Sequence, residues 1–462
     1  MAAGCLLRLS LLGARSMWVD EALTVITARA SLAEIPSLVR LLQGTPPLYF
    51  FMIHFWLPVC RDPLIAIRTF SAFCGMAALG VFFLFCRRVA PRHLPLAMFI
   101  ASFSSFWISI SQDGKLYDLY LLIAIAQFYA LYALMDEYSL RWLAAYTIIG
   151  VTGMYTHTFF VFLLASCFFQ FALVSRRLPS RVAWWTASHS AIAALYAPWI
   201  PSLLAQMRIP YAQFPDSFSL GRVFHGFGLF FFNVFFVDML YPNWIRIIGA
   251  AASAVMVLGT VYRLRFAKDE STRRLPIFCA VHIVTILAMV KLAEMFIGRP
   301  ITQPRYLVAL SPLMYVSIAQ FVGEIRLPAP FGHIHWGKIL IGILVSAGTV
   351  GYFACGVLID PRLAKMSAAI SGLADKDTPV IHLYNYYYPP LRYYYLPERR
   401  HLLLCPDPFW VNWNALPGYR TTISSEELST LGEVVFVDPQ RKFSERGIGV
   451  STGRVLSNFL CP

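Results

Sequence analysis

The sequence predicts an α-helical polytopic membrane protein that ends in a small α/β domain. Two features of composition and one pattern carry that reading. Of the 462 residues 58% are apolar and only 13% are charged, whereas a soluble domain runs near half apolar and a quarter charged. Aromatics reach 15%, with 37 Phe, 23 Tyr and 11 Trp, as expected where many helix ends meet lipid headgroups. Apolar runs long enough to cross a bilayer recur between residues 64 and 358, and the pattern changes after Asp360. A disordered chain, a collagen-like fibre and a small disulfide scaffold are excluded. The net charge of +14 is scattered between the apolar runs, which fits cytoplasmic loops and anionic lipids rather than nucleic acid. The nine Cys show no metal-like spacing and mostly lie inside apolar runs, so they read as small core hydrophobes.

Taken in order, the elements begin with MAAGCLLRLSLLGARS, about a dozen apolar residues interrupted by Arg8. That is short for a span, and no A-x-A-like cleavage site follows. It reads as a truncated first helix. An outer loop, residues 16–63, comes next. Ser31 and Glu34 form a capping box, Leu32, Ile35, Leu38, Val39 and Leu42 make one apolar face, and Gly44 and Pro46 stop the helix. Such a helix lies flat on the membrane. PPLYFFMIHFWLPV, about 14 residues, reads as an interfacial or re-entrant helix on the same side. Spans follow at 64–85, 94–110, 117–135, 142–174 (long enough for two), 182–204, 244–262, 275–295, 306–322 and 339–358. GRVFHGFGLFFFNVFFVDML is placed along the outer surface, because one crossing there would turn the next basic cluster outward. The total is about 11 spans, with the N-terminus inside and the C-terminus outside.

Orientation follows from where Lys and Arg collect. Arg87, Arg88 and Arg92 form the first strong basic connector, and Arg176, Arg177 and Arg181 the second. Arg263, Arg265, Lys268, Arg273 and Arg274 form the third. Placing these in the cytoplasm sends Asp20, Lys115, His157, Arg208, Arg305 and everything after Asp360 to the outer face. Residues 1–360 then form the membrane domain and 361–462 the outer domain. There PVIHLY and EVVFVD read as buried strands, and PPLRYYYLPE and SSEELSTL as helices or turns. Cys405 and Cys461 both fall in it and could oxidise together.

The most informative cluster is SMWVDEALT. Asp20 and Glu21 are adjacent, so on a helix their side chains diverge by about 100°. One can face a cavity while the other holds structure or a metal; the plainer alternative is two carboxylates at a helix N-terminus. Arg68 begins a span. Asp113, Lys115 and Tyr117 occupy the next outer turn, His157 a third, and Arg305 with Tyr306 a later one. Singly each has a plain reading as a snorkelling cation, an interfacial Tyr or a hydrogen-bonded His. Together the cations violate the positive-inside tendency, and outward cations at helix ends call for an anion such as a lipid phosphate. In NYYYPPLRYYYL, residues 386–388 and 393–395 are Tyr. They suit either the bilayer's aromatic belt or stacking on sugar rings.

The order WVDEA, TPPLYFF, IRTFSAF, SQDGKLY, MYTHTFF and PRYLVALSP resembles lipid-phosphosugar glycosyltransferases of the GT-C fold. It is most similar to the branch of protein O-mannosyltransferases and the aminoarabinose transferase of lipid A, glycosyltransferase families 39 and 83. The resemblance runs over roughly residues 5 to 322. It implies transfer of a monosaccharide from a polyprenyl-phosphate donor, with inversion, to a hydroxyl or amine of a lipid, glycan or protein acceptor. It also implies a multi-pass inner (cytoplasmic) membrane protein with its active site on the periplasmic or extracytoplasmic side. Asp20 matches the catalytic or acceptor-orienting aspartate and Glu21 its partner, while Arg68, Lys115 and Arg305 match the donor-phosphate grip. Asp113, Tyr117, His157 and Tyr306 fall in the substrate cavity. Lys115 and Asp113 stand where relatives usually have Arg and Glu, and Thr45 where many have His or Lys. Lys at 115 keeps the charge but loses bidentate geometry.

Displacing a lipid phosphate needs a base for the acceptor and cations for the leaving group. Asp20 is the expected base, because a partly desolvated carboxylate has a raised pKa. No cofactor is called for. A divalent cation beside Asp20, Glu21 or His157 stays open, since the spacing fixes none. A multi-pass lipid or solute transporter or flippase is the alternative, but no internal repeat points to one.

Overall fold

The computed structural model describes residues 1–175, 179–208, 220–231, 243–266, 270–298, 301, 303–323, 327–329, 332–334, 336–357, 362–373, 375–382, 390–399, 401–403, 433–437 and 450–454. SSEELSTL, Tyr386, Tyr387, Tyr388, Cys405 and Cys461 lie outside the described residues. The first four helices are α1 (Ala2–Leu9), α2 (Val19–Arg29), α3 (Ile35–Leu42) and α4 (Leu48–Trp56). Next come α5 (Pro63–Val89), α6 (Leu94–Phe103), α7 (Ser105–Ser111) and α8 (Tyr117–Asp136). They are followed by α9 (Leu140–Thr156), α10 (Phe160–Ser175), α11 (Pro179–Tyr196), α12 (Ile200–Arg208) and α13 (Leu220–Leu229). The last are α14 (Asn243–Phe266), α15 (Glu270–Ile297), α16 (Ser311–Val322), α17 (Trp336–Gly351) and α18 (Arg362–Leu373).

Among the described residues the apolar runs read as spans are helical, with breaks at Ser104 and at 157–159. Among the described residues six helices are long and apolar enough to cross a membrane, or seven when the bent pair α6–α7 counts as one. The other four of the expected 11 are helical too. However, α1, α9 and α10 hold only 8, 17 and 16 residues, and α11 carries Thr186, Ser188 and His189 midway. Ser188 and His189 join α9 and α11: Thr147 and Ser188 hydroxyls lie 2.7 Å apart, and Tyr146 Oη lies 3.2 Å from His189 Nε2.

The run 94–110 departs from the expected continuous span. It bends by 51° at Ser104, whose hydroxyl accepts the Trp107 N–H at 3.1 Å and so starts α7 afresh. The flat helix also starts later than expected. Glu34 accepts the Ser31 N–H and hydroxyl at 3.1 and 2.7 Å, which holds its carboxyl below the usual carboxylate range. That closes a turn, and Pro36, suited to a first helical turn, then opens α3. Ile35, Val39 and Leu42 are buried on its inner face.

The chain divides into two compact units, and the division is not a single cut near 360. The first comprises Met1–Ser10, Arg68–Leu203 and Phe214–Gly356. Its centre is Trp107, fully buried between Phe82 and Tyr315 at 5.3 Å from each ring, with its indole N–H donated to Ser311. At one end of this bundle Arg88 from α5 and Arg274 from α15 both pair with Asp136 at the end of α8. Residues from two expected cytoplasmic connectors therefore share one carboxylate.

The helix α13, 10 residues, covers the first part of the GRVFHGFGLFFFNVFFVDML stretch, whose residues 232–240 lie outside the described residues, and it packs closely on α14. A Cβ on Gly249 would sit 1.6 Å from the Phe224 carbonyl oxygen, and one on Gly228 2.0 Å from that of Ile245. Small residues allow such approach in membranes. We expect Gly249→Ala to lower stability in detergent by roughly 3 kcal/mol. Gly80→Ala, with nothing within 4 Å of the added carbon, should instead be neutral or raise stability by up to about 1 kcal/mol. Chemical unfolding of the two variants side by side checks the contrast in sign.

The second unit comprises Leu11–Ile67, Leu204–Gln213 and Val357–Pro462. It holds a four-stranded sheet in the order 401–403, 380–382, 433–437, 450–454, with the first three strands parallel and the last antiparallel. PVIHLY and EVVFVD thus become neighbours, with Val380 opposite Val435. Two buried histidines face each other across this sheet. His401 Nε2–H donates to the Leu396 carbonyl at 2.9 Å, which leaves its Nδ1 to accept from His382 Nε2–H at 2.8 Å. Burial pushes His401 down to about 4, and burial with the neighbouring His401 holds His382 well below its ordinary value. An unfolded His takes up its proton near pH 6.5. Between there and about 4 the open state therefore binds protons that the folded sheet does not, and stability falls as the pH drops. We expect the opening free energy of strands 380–382 and 401–403, read by hydrogen exchange, to be level above pH 7 and to decline between 6.5 and 4.

Candidate active site

In the first unit the helix ends opposite Asp136 carry the predicted cationic and aromatic residues. The SQDGKL stretch links α7 to α8 by a tight turn: Asp113 N–H donates to Ile110 at 3.1 Å and Lys115 N–H to the Asp113 carbonyl at 2.7 Å. Ser71, one helical turn beyond Arg68 on α5, donates its hydroxyl to the Lys115 carbonyl at 3.2 Å. Arg68, Asp113, Lys115 and Tyr117 are all buried.

Tyr117 opens α8, and two other elements converge on it. His157 follows the last residue of α9, and its ring lies 6.2 Å from that of Tyr117. Arg305 and Tyr306 come from the 3₁₀ turn Pro304–Leu310 ahead of α16. The Arg305 guanidinium sits 5.5 Å above the Tyr117 ring and 5.9 Å above that of Tyr306, within cation–π range. Its Nε–H donates to Gln303 Oε1 at 2.6 Å, which fixes the plane of the fork.

His157 is buried and stacked on Tyr120 at 4.6 Å, with Tyr306 edge-on at 5.4 Å. Phe159 N–H donates to Nδ1 at 3.0 Å, so the neutral ring carries its proton on Nε2. Burial, then the charge of Arg305, pushes its pKa down to about 3. His157 is accordingly a neutral donor at physiological pH, and Arg68, Lys115 and Arg305 supply the positive charge. Tyr120, Phe159, Gln303 and Ser71 were not singled out by the sequence. Tyr120 had a signal, since it lies one turn from Tyr117 on the same helix face.

Asp20 and Glu21 belong to the second unit, in the first turn of α2. Glu21 is fully buried, and its Oε2 accepts the Trp18 N–H at 3.3 Å, folding back over its own helix start. Asp20 is partly exposed, and its carbonyl accepts the Thr24 hydroxyl at 2.9 Å. The adjacent carboxylates therefore diverge, as their spacing requires. The loop that holds them is tied to the C-terminal segment: the Tyr395 hydroxyl accepts Met17 N–H at 3.0 Å, and Tyr394 donates to Asp62 at 2.9 Å. Two of the Tyr in the aromatic run thus serve packing within this unit. Among the described residues no three His, Cys, Asp or Glu side chains gather as a metal ion would require.

No family model matches the sequence, and no curated protein matches it by sequence. The fold does match solved structures. The chain superposes on the crystal structure of ArnT from Cupriavidus metallidurans bound to undecaprenyl phosphate with a TM-score of 0.62. Identity is 11%, over 94% of this chain and 91% of that one. The apo crystal structure of the same protein gives a TM-score of 0.61 at 12% identity with the same coverage. The chain has the GT-C fold of a polytopic membrane protein.

Proposed function

We propose that the protein is a membrane glycosyltransferase that moves a monosaccharide from a polyprenyl-phosphate donor to an acceptor hydroxyl or amine at the outer membrane face, with inversion. The observation that carries this reading is the convergence of Lys115, Tyr117, His157 and Arg305 at the helix ends opposite the arginine-bound Asp136. Basic residues at that end have no anchoring task, and a phosphate accounts for them. The fold likeness adds support, because that ArnT structure holds undecaprenyl phosphate.

In this reading Arg68, Lys115 and Arg305 bind the donor phosphate, and Asp20 takes the acceptor's proton. The acceptor oxygen or nitrogen attacks the anomeric carbon, the bond from that carbon to the phosphate oxygen breaks, and its electron pair leaves on the polyprenyl phosphate. Charge builds on the leaving phosphate, so fixed cations lower the barrier. Glu21 holds the start of α2, and Asp113, Tyr117, His157 and Tyr306 shape the cavity. Lipid, glycan and protein acceptors all present suitable groups, and membrane lipids surround the bundle. A divalent cation is testable by chelation.

The deciding experiment incubates the purified protein with a panel of polyprenyl-phosphate sugars and candidate acceptors and identifies products by mass spectrometry. A glycosylated acceptor with release of polyprenyl phosphate is expected. Movement of the lipid across vesicles without any covalent product would replace this reading with transport.

A further inference from the structure

The proposed donor site leaves Arg8 unused, although a fully buried arginine in a membrane bundle is costly and calls for a reason. Its surroundings supply one. The bend at Ser104 deprives the last carbonyls of α6 of their helical partners. Arg8 Nη1 donates to Ser102 at 3.2 Å and Nη2 to Ala101 at 3.1 Å, with a further bond from Nη1 to Gly4 at 2.8 Å. The planar guanidinium fork serves three carbonyls at once from two nitrogens held at a fixed angle.

The other end of α7 is tied to the same short helix. Gln112 Nε2 donates to Leu7 at 2.8 Å and to Ser10 at 2.7 Å, the open carbonyl end of α1, while its Oε1 accepts the Tyr352 hydroxyl at 2.9 Å. The next residues are the turn of Asp113 and Lys115, followed by Tyr117.

A buried carboxyl follows that turn. Asp118 is fully buried in the first turn of α8, and neither carboxylate oxygen accepts a hydrogen bond from a described residue. The packing beside it is close, since a Cβ on Gly75 of α5 would lie 2.2 Å from Ser111 Oγ and 3.2 Å from Asp118 Oδ1.

We infer that Arg8 and Gln112 are positioning residues through which the first helix fixes the turn that carries Lys115 and Tyr117. The inference rests on reading Lys115 and Tyr117 as part of the donor-phosphate site, but its local content stands apart from that reading. The short α7 works as a strut between two ties to α1, Arg8 on the last carbonyls of α6 ahead of its start and Gln112 at its end, so loosening either tie moves the turn.

The test uses the full-length protein in detergent with two readouts: hydrogen exchange across residues 112–120 and equilibrium binding of undecaprenyl phosphate. Arg8→Leu and Gln112→Leu are each expected to speed exchange in that stretch at least about tenfold and to weaken binding about tenfold, with partial recovery in Arg8→Lys. Phe171→Ala, which removes a ring stacked on Trp185 at 4.3 Å, serves as a matched destabilised control with both readouts unchanged. Unchanged exchange at 112–120 in Gln112→Leu overturns the inference, and that variant serves even where Arg8→Leu fails to fold. If the wild-type protein binds no undecaprenyl phosphate, the functional reading falls, and the exchange result still decides the positioning role.

Discussion

Replacing Asp20 by Asn is expected to reduce sugar transfer about 10³-fold, the loss that follows removal of a general base, while undecaprenyl phosphate binding stays within about threefold. The amide keeps the shape of the carboxylate at the start of α2, so the helix forms as before. What disappears is the group that takes the acceptor's proton. Glu21→Gln is the informative companion. Glu21 is fully buried and accepts the Trp18 N–H at 3.3 Å, and a glutamine carbonyl can take that same bond. Its expected cost is about 1 kcal/mol of stability, with turnover largely kept. Measuring transfer and lipid binding in both variants separates the two carboxylates. Full transfer by Asp20→Asn would sink the assignment of the base.

The likeness of the two carboxylates in sequence and their difference in structure show where reading the chain succeeds. Adjacent residues on a helix must diverge, so different surroundings for the two carboxylates were legible before any coordinates, although which one would turn inward was not. The spans were legible for a similar reason. Runs such as 64–85 and 117–135 leave the backbone no alternative to internal hydrogen bonding in lipid. The cations Lys115 and Arg305 were legible as candidates because charge is scarce in so apolar a chain.

Long-range pairing was not legible. Tyr395 meets Met17 across 378 residues of separation, and no local pattern encodes a partner at that distance. The bend at Ser104 had a local cue in the serine pair, since serine is a favoured helix start, but the surrounding apolar run outweighed it. Arg8 was therefore read as an interruption in a short helix. It is buried because the bend elsewhere releases carbonyls that need a donor, a demand that exists only once the helices are assembled. The Gly228 and Gly249 approach was hidden likewise, for a glycine's lack of a side chain says nothing about what will press against it.

Arg305→Ala is expected to weaken undecaprenyl phosphate binding about 10- to 100-fold, from the roughly 1.5–3 kcal/mol of a hydrogen bond to a charged group. Geometry makes this arginine hard to replace. Its guanidinium lies over the rings of Tyr117 and Tyr306, and Nε–H is held by Gln303 at 2.6 Å, so the remaining N–H groups are oriented before the ligand arrives. Arg305→Lys keeps the charge but not the planar fork, and recovery of only part of the affinity is expected. Gln303→Leu leaves the charge and removes the strap on Nε, so a smaller loss than in Arg305→Ala should follow. That ranking, alanine worst, then lysine, then the Gln303 variant, distinguishes an oriented clamp from a diffuse positive field, in which lysine would bind as well as arginine and Gln303 would not matter. Binding isotherms at fixed ionic strength settle it, because screening would otherwise blur a charge effect into a geometric one. Equal affinity in all four proteins would remove Arg305 from the phosphate site and leave Arg68 and Lys115 as the cations to test next.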